Sequence, residues 1–238
     1  MKVFIKIISI ILLTGVLLGA PKVGTWVANM FDYSSIDPDG AFMWISVHHI
    51  IQAVVILLII LFSTKFYKVN FHLNMGNKEV GYRYLKKFML YFSIYTVIAF
   101  IVIIISSGFQ PFQYPLNARN ISGYLGFQII LSGPSEELIF RAFAITIFVL
   151  LVSQKRIDKH LSYANLFAAI IFGIAHIQFS LSPFDISFAL PQVLMAIGLG
   201  YFYGDCYEKS KSVVYPMIMH SFSNVLMVGI TILLSFFI

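Results

Sequence analysis

The chain has 238 residues, 59% of them hydrophobic and 11% charged, with a mean hydropathy of +0.88. Soluble domains carry about 25% charged residues, so the composition argues against a water-soluble enzyme and for a polytopic membrane protein. The net charge of +6 is spread over short loops, which argues against nucleic acid as a partner, and the single Cys206 excludes an internal disulfide and a four-thiolate metal site.

Apolar runs long enough to cross a bilayer, about 17–25 residues, fall near 3–20, 42–63, 88–107, 121–152, 161–180, 187–206 and 213–237. The expected fold is all-α: an integral membrane helical bundle of about seven transmembrane helices, without internal repeats. The first run, MKVFIKIISIILLTGVLLGA, has the charge pattern of a secretory signal, with Lys2 and Lys6 ahead of an apolar stretch. Cleavage after Ala20 would put Leu18 at −3 and Pro21 at +1, both unsuitable, so a retained first helix is expected. In the fourth run Gly133-Pro134 is a candidate break. Asn120-Ile121-Ser122 matches a glycosylation triplet but carries no weight, because such triplets are frequent by chance.

Loop charge sets the expected orientation. Lys65, Lys68, Lys78, Arg83, Lys86 and Lys87 lie in one loop region, Lys155, Arg156 and Lys159 in a second, and Lys209 and Lys211 in a third. Together with Lys2 and Lys6 they fall on one face, whereas the opposite loops hold only Lys22 and Arg119 beside Asp32, Asp37, Asp39 and Asp185. The positive-inside rule makes the basic face cytoplasmic. Seven spans then put the N-terminus in the cytoplasm of what is expected to be a bacterial cell-membrane protein.

The expected spans contain few strongly polar groups, and each is costly in hydrocarbon unless it is paired or functional. The densest group is GPSEELIFRAF, residues 133–143. Glu137 and Arg141 are separated by four positions, so they share a helical face and can neutralise each other. Glu136 faces elsewhere and remains free. His220 and Asn224 share a face in HSFSN, and Phe172 and His176 do so in FGIAH. At about 1.5 Å per residue, these groups scatter around the mid-plane closely enough for one site. His48 and His49 on the second run read as packing or pathway residues.

One carboxylate, two histidines and a carboxamide converging in an apolar setting fit a hydrolytic site. Glu136 would activate water, and histidine and asparagine side chains would donate to an oxyanion. Alternatively, Glu136, His176 and His220 form the ligand set of a divalent metal such as zinc, with water as the open ligand. That set leaves no obvious second carboxylate as base, so the cofactor stays open between none and one divalent metal.

These three motifs together resemble the CPBP family (CAAX protease and bacteriocin-processing, or Abi) of intramembrane endopeptidases. EELIFR resembles its EExxxR motif, FGIAH its FxxxH motif and HSFSN its HxxxN motif. The resemblance covers residues 120–235, which divides the chain into N-terminal helices without a motif (1–119) and a catalytic membrane core (120–238). It implies hydrolysis of a peptide bond in a membrane-associated peptide or protein. Glu136 would activate water with help from His176, and His220 and Asn224 would stabilise the oxyanion. Glu137, Arg141 and Phe172 would be structural supports. Bacterial relatives are associated with bacteriocin immunity, pheromone maturation and surface-protein processing. Ala142 stands where the family often has glycine.

Three other readings remain. A non-catalytic membrane scaffold would tolerate loss of Glu136, and a proton-coupled transporter would use the same acids and histidines as a relay. A serine or cysteine protease would need a nucleophile, but Ser135 lacks a GxSxG-type setting and Cys206 lies away from the expected site.

Overall fold

The computed structural model describes residues 2–181 and 184–237; the side chain of Lys2 and those of residues 179–181 and 184 lie outside the described part. Seven continuous helices account for most of the described chain: α1 (Lys2–Ala28), α2 (Met43–Tyr67), α3 (Lys78–Ile105), α4 (118–151), α5 (Tyr163–Ile174), α6 (Leu190–Ser210) and α7 (Val214–Leu234). α1, α2, α3 and α7 are long and apolar enough to cross a membrane. α5 has only 12 residues, about 18 Å of rise, too short for a core about 30 Å thick. The 161–180 run is therefore not a single span. After Gly173 the backbone tightens, with the His176 amide donating to Gly173 O at 3.1 Å and the Ile177 amide to Ile174 O at 2.9 Å. The chain then pairs Gln178–Leu181 (β1) antiparallel with Phe184–Ser187 (β2), a hairpin that apolarity alone did not distinguish from helix.

Polar side chains at the chain turns fix the helix starts. Asn77, Asn117 and Ser162 each accept a backbone N–H three residues on, at 3.1, 2.9 and 2.9 Å, capping α3, α4 and α5. Asp37 does more: its carboxylate accepts from the Ala41, Phe42 and Met43 amides at 2.8, 2.7 and 2.7 Å, tying the α1–α2 loop to the start of α2. Burial raises the Asp37 carboxyl, but these donors and Arg119 outweigh it and hold it below the usual carboxylate range. Gly76 has φ +48°, and any Cβ there would run into the carbonyls of Ser210 and Lys211. This close approach seats the 68–77 loop on the α6–α7 turn.

The three basic loops gather at one end of the bundle. The Asn77 amide donates to Ser210 O at 2.7 Å, and Arg156 pairs with Glu208 at 3.0 Å. At the other end the 29–42 loop meets the start of α4, where Asn120 Nδ2 donates to Asp39 at 2.9 Å.

Burial is inverted relative to a soluble protein. Leu58, Leu61 and Phe62 of α2 are exposed, while His49 and Gln52 of the same helix are buried. Glu137 and Arg141 are fully buried, and Phe4, Ile11 and Leu12 of α1 face outward. Polar groups turned inward and apolar groups turned outward are what a lipid solvent selects. α1 continues through Pro21 and packs along α2, with Leu17 and Ala28 fully buried, so the first helix is an integral part of the bundle.

α4 is the central element. It does not break at Gly133-Pro134 but widens on either side: α-helical over Ala118–Phe127, Gly133–Glu137 and Ala144–Leu151, and π-helical over Gln128–Ser132 and Leu138–Phe143. The first π segment leads directly into the proline, whose missing N–H an unbroken α-helix would need. α4 packs on α2 on one side and α7 on the other. At Gly133 a Cβ would stand 2.8 Å from Ser221 N and 3.1 Å from His220 Cβ, so only glycine allows α7 this close.

Candidate active site

That close approach sets the site geometry, because it brings His220 of α7 against both carboxylates of α4. His220 Nδ1 lies 2.9 Å from Glu137 Oε1, and its Nε2 lies 3.7 Å from Glu136 Oε2. A carboxylate at this contact accepts, so Nδ1 carries a proton and Nε2 is the variable position facing Glu136. Glu137 is also paired with Arg141, Nε to Oε2 at 3.0 Å, with both side chains fully buried. The contact is between charges rather than an aligned hydrogen bond, and Nη1 and Nη2 of Arg141 have no hydrogen-bond partner among the described residues. Aromatic faces surround the cation instead: the guanidinium carbon lies 4.7 Å from the Phe172 ring centre and 5.7 Å from that of Tyr203.

The structure thus separates the adjacent glutamates. Glu137 is held by a cation and a histidine, whereas Glu136 makes no contact as short: His220 Nε2 at 3.7 Å and His49 Nε2 at 3.9 Å, with 19% of its side chain exposed. Both contacts are longer than hydrogen bonds.

His176 lies just beyond the end of α5. Its Nδ1 is 2.8 Å from Phe172 O, which can only accept, so the proton is on Nδ1 and Nε2 presents a lone pair. The Phe172 ring meets His176 edge-on at 4.8 Å, His220 edge-on at 5.8 Å, and packs on Phe140 at 5.1 Å. Phe172 thereby braces both histidines and the Arg141 cation. Asn224, one turn after His220, donates from Nδ2 to Ser132 Oγ at 2.9 Å, which leaves its second N–H available.

His176, His220 and Asn224 all line one cavity of about 280 Å³, closed on other sides by Phe172, Tyr203 and Ser223. An apolar cavity of about 530 Å³ between α3 and α6 shares Phe92, Met195 and Leu199 with it. Glu136 has His49 and His220 within 4.0 Å, but not His176.

The candidate metal set of Glu136, His176 and His220 does not fit a metal ion as arranged. Zinc ligands all lie about 2.0–2.2 Å from one centre. Here Glu136 and His220 stand 3.7 Å apart without His176 closing a third side. Among the described residues no three His, Cys, Asp or Glu side chains are grouped to hold a metal.

Two residues not read as candidates for the site adjoin it. Tyr203 of α6 stacks on His220 (5.2 Å, 23°) and bonds Ser223 Oγ at 2.9 Å. Nothing in the spacing of α6 marked it. His49 was read as packing or pathway, yet it is buried against Glu136; the available signal was His49 and Gln52, three positions apart in an otherwise apolar helix. His48, by contrast, packs as read, stacked on Trp44 at 5.4 Å with Nδ1 3.2 Å from Thr25 Oγ1. Cys206 is buried and free.

Residues 118–226 match the family model of the type II CAAX prenyl endopeptidases, Rce1-like. The match takes in a little under half of the chain and supports membership of the CPBP family. The matched segment takes in α4, α5, α6 and the first half of α7, and with them every motif residue from Glu136 to Asn224. No curated protein and no solved structure matches the chain. Membership supports a protease acting at the membrane, and the CPBP segment is the part of the bundle in which the buried charges lie. His49 lies outside it.

Proposed function

We propose that this protein is an intramembrane endopeptidase in which Glu136 is the base that activates water. The observation that carries this reading is the unequal treatment of two neighbouring carboxylates. Glu137 is neutralised by Arg141 and held by His220, while Glu136 keeps partial exposure beside two imidazole nitrogens at 3.7 and 3.9 Å. In this reading residues 120–238 carry the chemistry and the helices of 1–119 complete the walls.

Glu136 takes a proton from water as the oxygen attacks the scissile carbonyl carbon. His176, with its Nε2 lone pair directed away from its own helix, assists in orienting that water. The tetrahedral oxyanion receives the free N–H of Asn224 and, when its ring carries both protons, the Nε2–H of His220. Collapse breaks the C–N bond, and the proton held by Glu136 passes to the leaving amine. The residues present do not converge as a metal site, and no step is routed through one. The substrate is a membrane-associated peptide or protein, and the apolar cavity between α3 and α6 offers a setting for its hydrophobic portion. The biological settings open to such an activity include bacteriocin immunity, pheromone maturation and surface-protein processing in a bacterial membrane, with the basic loops on the cytoplasmic side.

The test uses purified protein in lipid with quenched-fluorescent peptides carrying a prenylated cysteine, an acyl anchor or a transmembrane segment. Each is measured with and without chelator, for wild type, Glu136→Gln and Glu137→Gln. Loss of cleavage in folded Glu136→Gln is expected. Wild-type rates in Glu136→Gln, or no cleavage of any peptide by the wild type, would return the reading to a scaffold or transporter.

A further inference from the structure

We propose that His49 of α2, outside the segment matched by the family, is a positioning residue that orients the Glu136 carboxylate. The proposal rests on Glu136 being the base.

The His49 side chain is 7% exposed and its ring proton is fixed by its neighbours. The Gln52 amide nitrogen, which can only donate, lies 2.9 Å from His49 Nδ1. Nδ1 therefore accepts, and the neutral ring carries its proton on Nε2, the nitrogen facing Glu136 Oε1 at 3.9 Å. Ser135 Oγ lies 2.7 Å from the same Nδ1 and also accepts from Gln52 at 3.2 Å, so a three-member polar network fixes the ring. Phe127 packs edge-on to the ring at 4.9 Å. The two oxygens of Glu136 are thereby divided. Oε1 faces a donor from α2, and Oε2 faces His220 Nε2, which lines the cavity with His176 and Asn224. A donor on one oxygen restricts rotation about the last side-chain bond and aims the lone pair of the other oxygen at the reacting water. Catalytic contacts of this kind are commonly long without substrate and shorten in the complex.

The Ser135–His49 contact also has the form of a nucleophile and base. Three features oppose that use. The Ser135 side chain is buried with 4% residual exposure, its Oγ has Ser132 O at 3.2 Å as a further partner, and Nδ1 of His49 is already engaged by Gln52. Ser135 is the anchor of the ring in this arrangement.

The experiment compares wild type, His49→Phe, His49→Gln, Ser135→Ala and Glu136→Gln in lipid, on the peptide of the panel that the wild type cleaves fastest. It records kcat, KM and unfolding midpoint. Misplacement of a reacting group by about 1 Å costs about 10²-fold. His49→Phe, which keeps the packing on Phe127 but has no N–H, is expected to lower kcat about 10–10²-fold, with KM and midpoint near wild type. His49→Gln, which restores a donor, is expected to regain most of that loss. Ser135→Ala, which leaves Gln52 in place, is expected to lose less than His49→Phe. Wild-type kcat in His49→Phe overturns the proposal, and so does an equal fall in both His49 variants accompanied by a lower midpoint, which is a packing role. Loss in Ser135→Ala as complete as in Glu136→Gln also overturns it, in favour of a serine nucleophile. If Glu136→Gln cleaves normally, or the wild type cleaves nothing, the parent reading fails and takes this one with it; if Glu136→Gln is inactive and His49→Phe is not, only this one fails.

Discussion

Replacing Arg141 with methionine isolates the contribution of the buried pair to the site. Arg141 Nε lies 3.0 Å from Glu137 Oε2 with both side chains at 0% exposure, and the guanidinium is flanked by Phe172 and Tyr203. Methionine fills much of the same volume, so the main loss is charge. It leaves Glu137 buried with only the His220 Nδ1–H as partner. Removing one member of a buried pair costs about 3–5 kcal/mol, because the other charge stays in low dielectric. Two aromatic faces losing their cation place the expected value in the upper part of that range. Equilibrium unfolding in mixed micelles measures it. Arg141→Met combined with Glu137→Gln should recover at least half of the loss, since no unpaired charge then remains. A single variant within about 1 kcal/mol of wild type, or strictly additive losses in the double variant, would refute the view that the pair is a mutually neutralised unit.

Gly133→Ala places a methyl 2.8 Å from the Ser221 backbone nitrogen; overpacking of this kind costs about 1–3 kcal/mol, and the displacement of α7 should lower kcat as well, read from cleavage and unfolding of the same preparation. Asn224→Ala removes the proposed oxyanion donor and should reduce kcat about 10²–10³-fold with little change in KM; a KM effect alone would make Asn224 a substrate contact. Asp37→Asn tests the N-terminal tie of α2. The folded carboxyl is held below its usual value, so its stabilisation is complete above the unfolded value near 4 and is lost as pH falls through the lower folded value. The variant should be less stable by about 1–2 kcal/mol at pH 7, with the gap to wild type closing only below about pH 4. A gap that is constant from neutral pH into that acid range would contradict the assignment.

Much of this was legible in the sequence because hydrocarbon makes buried charge conspicuous. Glu137 and Arg141 stood out by their spacing, and their pairing followed from the helical period. His220 and Asn224 were legible in the same way. The placement of His49 and His176 relative to Glu136 was not, because it depends on where α5 stops and how α2 leans on α4. His176 sits just past a helix end that a run of apolar residues cannot mark. The hairpin at 178–187 begins at the end of the same run and fills the gap before the next; its strands QFSL and FDIS do alternate, but at four residues each they give only the shortest signal of that kind. Tyr203 was invisible for another reason: an aromatic in a membrane helix reads as packing until its neighbours are known. Gly133-Pro134 was read as a candidate break because loss of one N–H predicts interruption, whereas the π segment ahead of it absorbs the defect.

The two π segments of α4 carry a further consequence. Each gives the helix an extra residue without adding an α-helical turn. Five residues of 128–132 take up about the turn of four in an ordinary α-helix, so removing one would let the segment relax to α-helix with the phase beyond it nearly kept. Glu136 and Glu137 would then keep their facing, and the loss would be confined to the bulge and its packing. The two π segments are therefore the places where this helix holds a spare residue, and the phase they preserve is as much a part of the site as the side chains it carries.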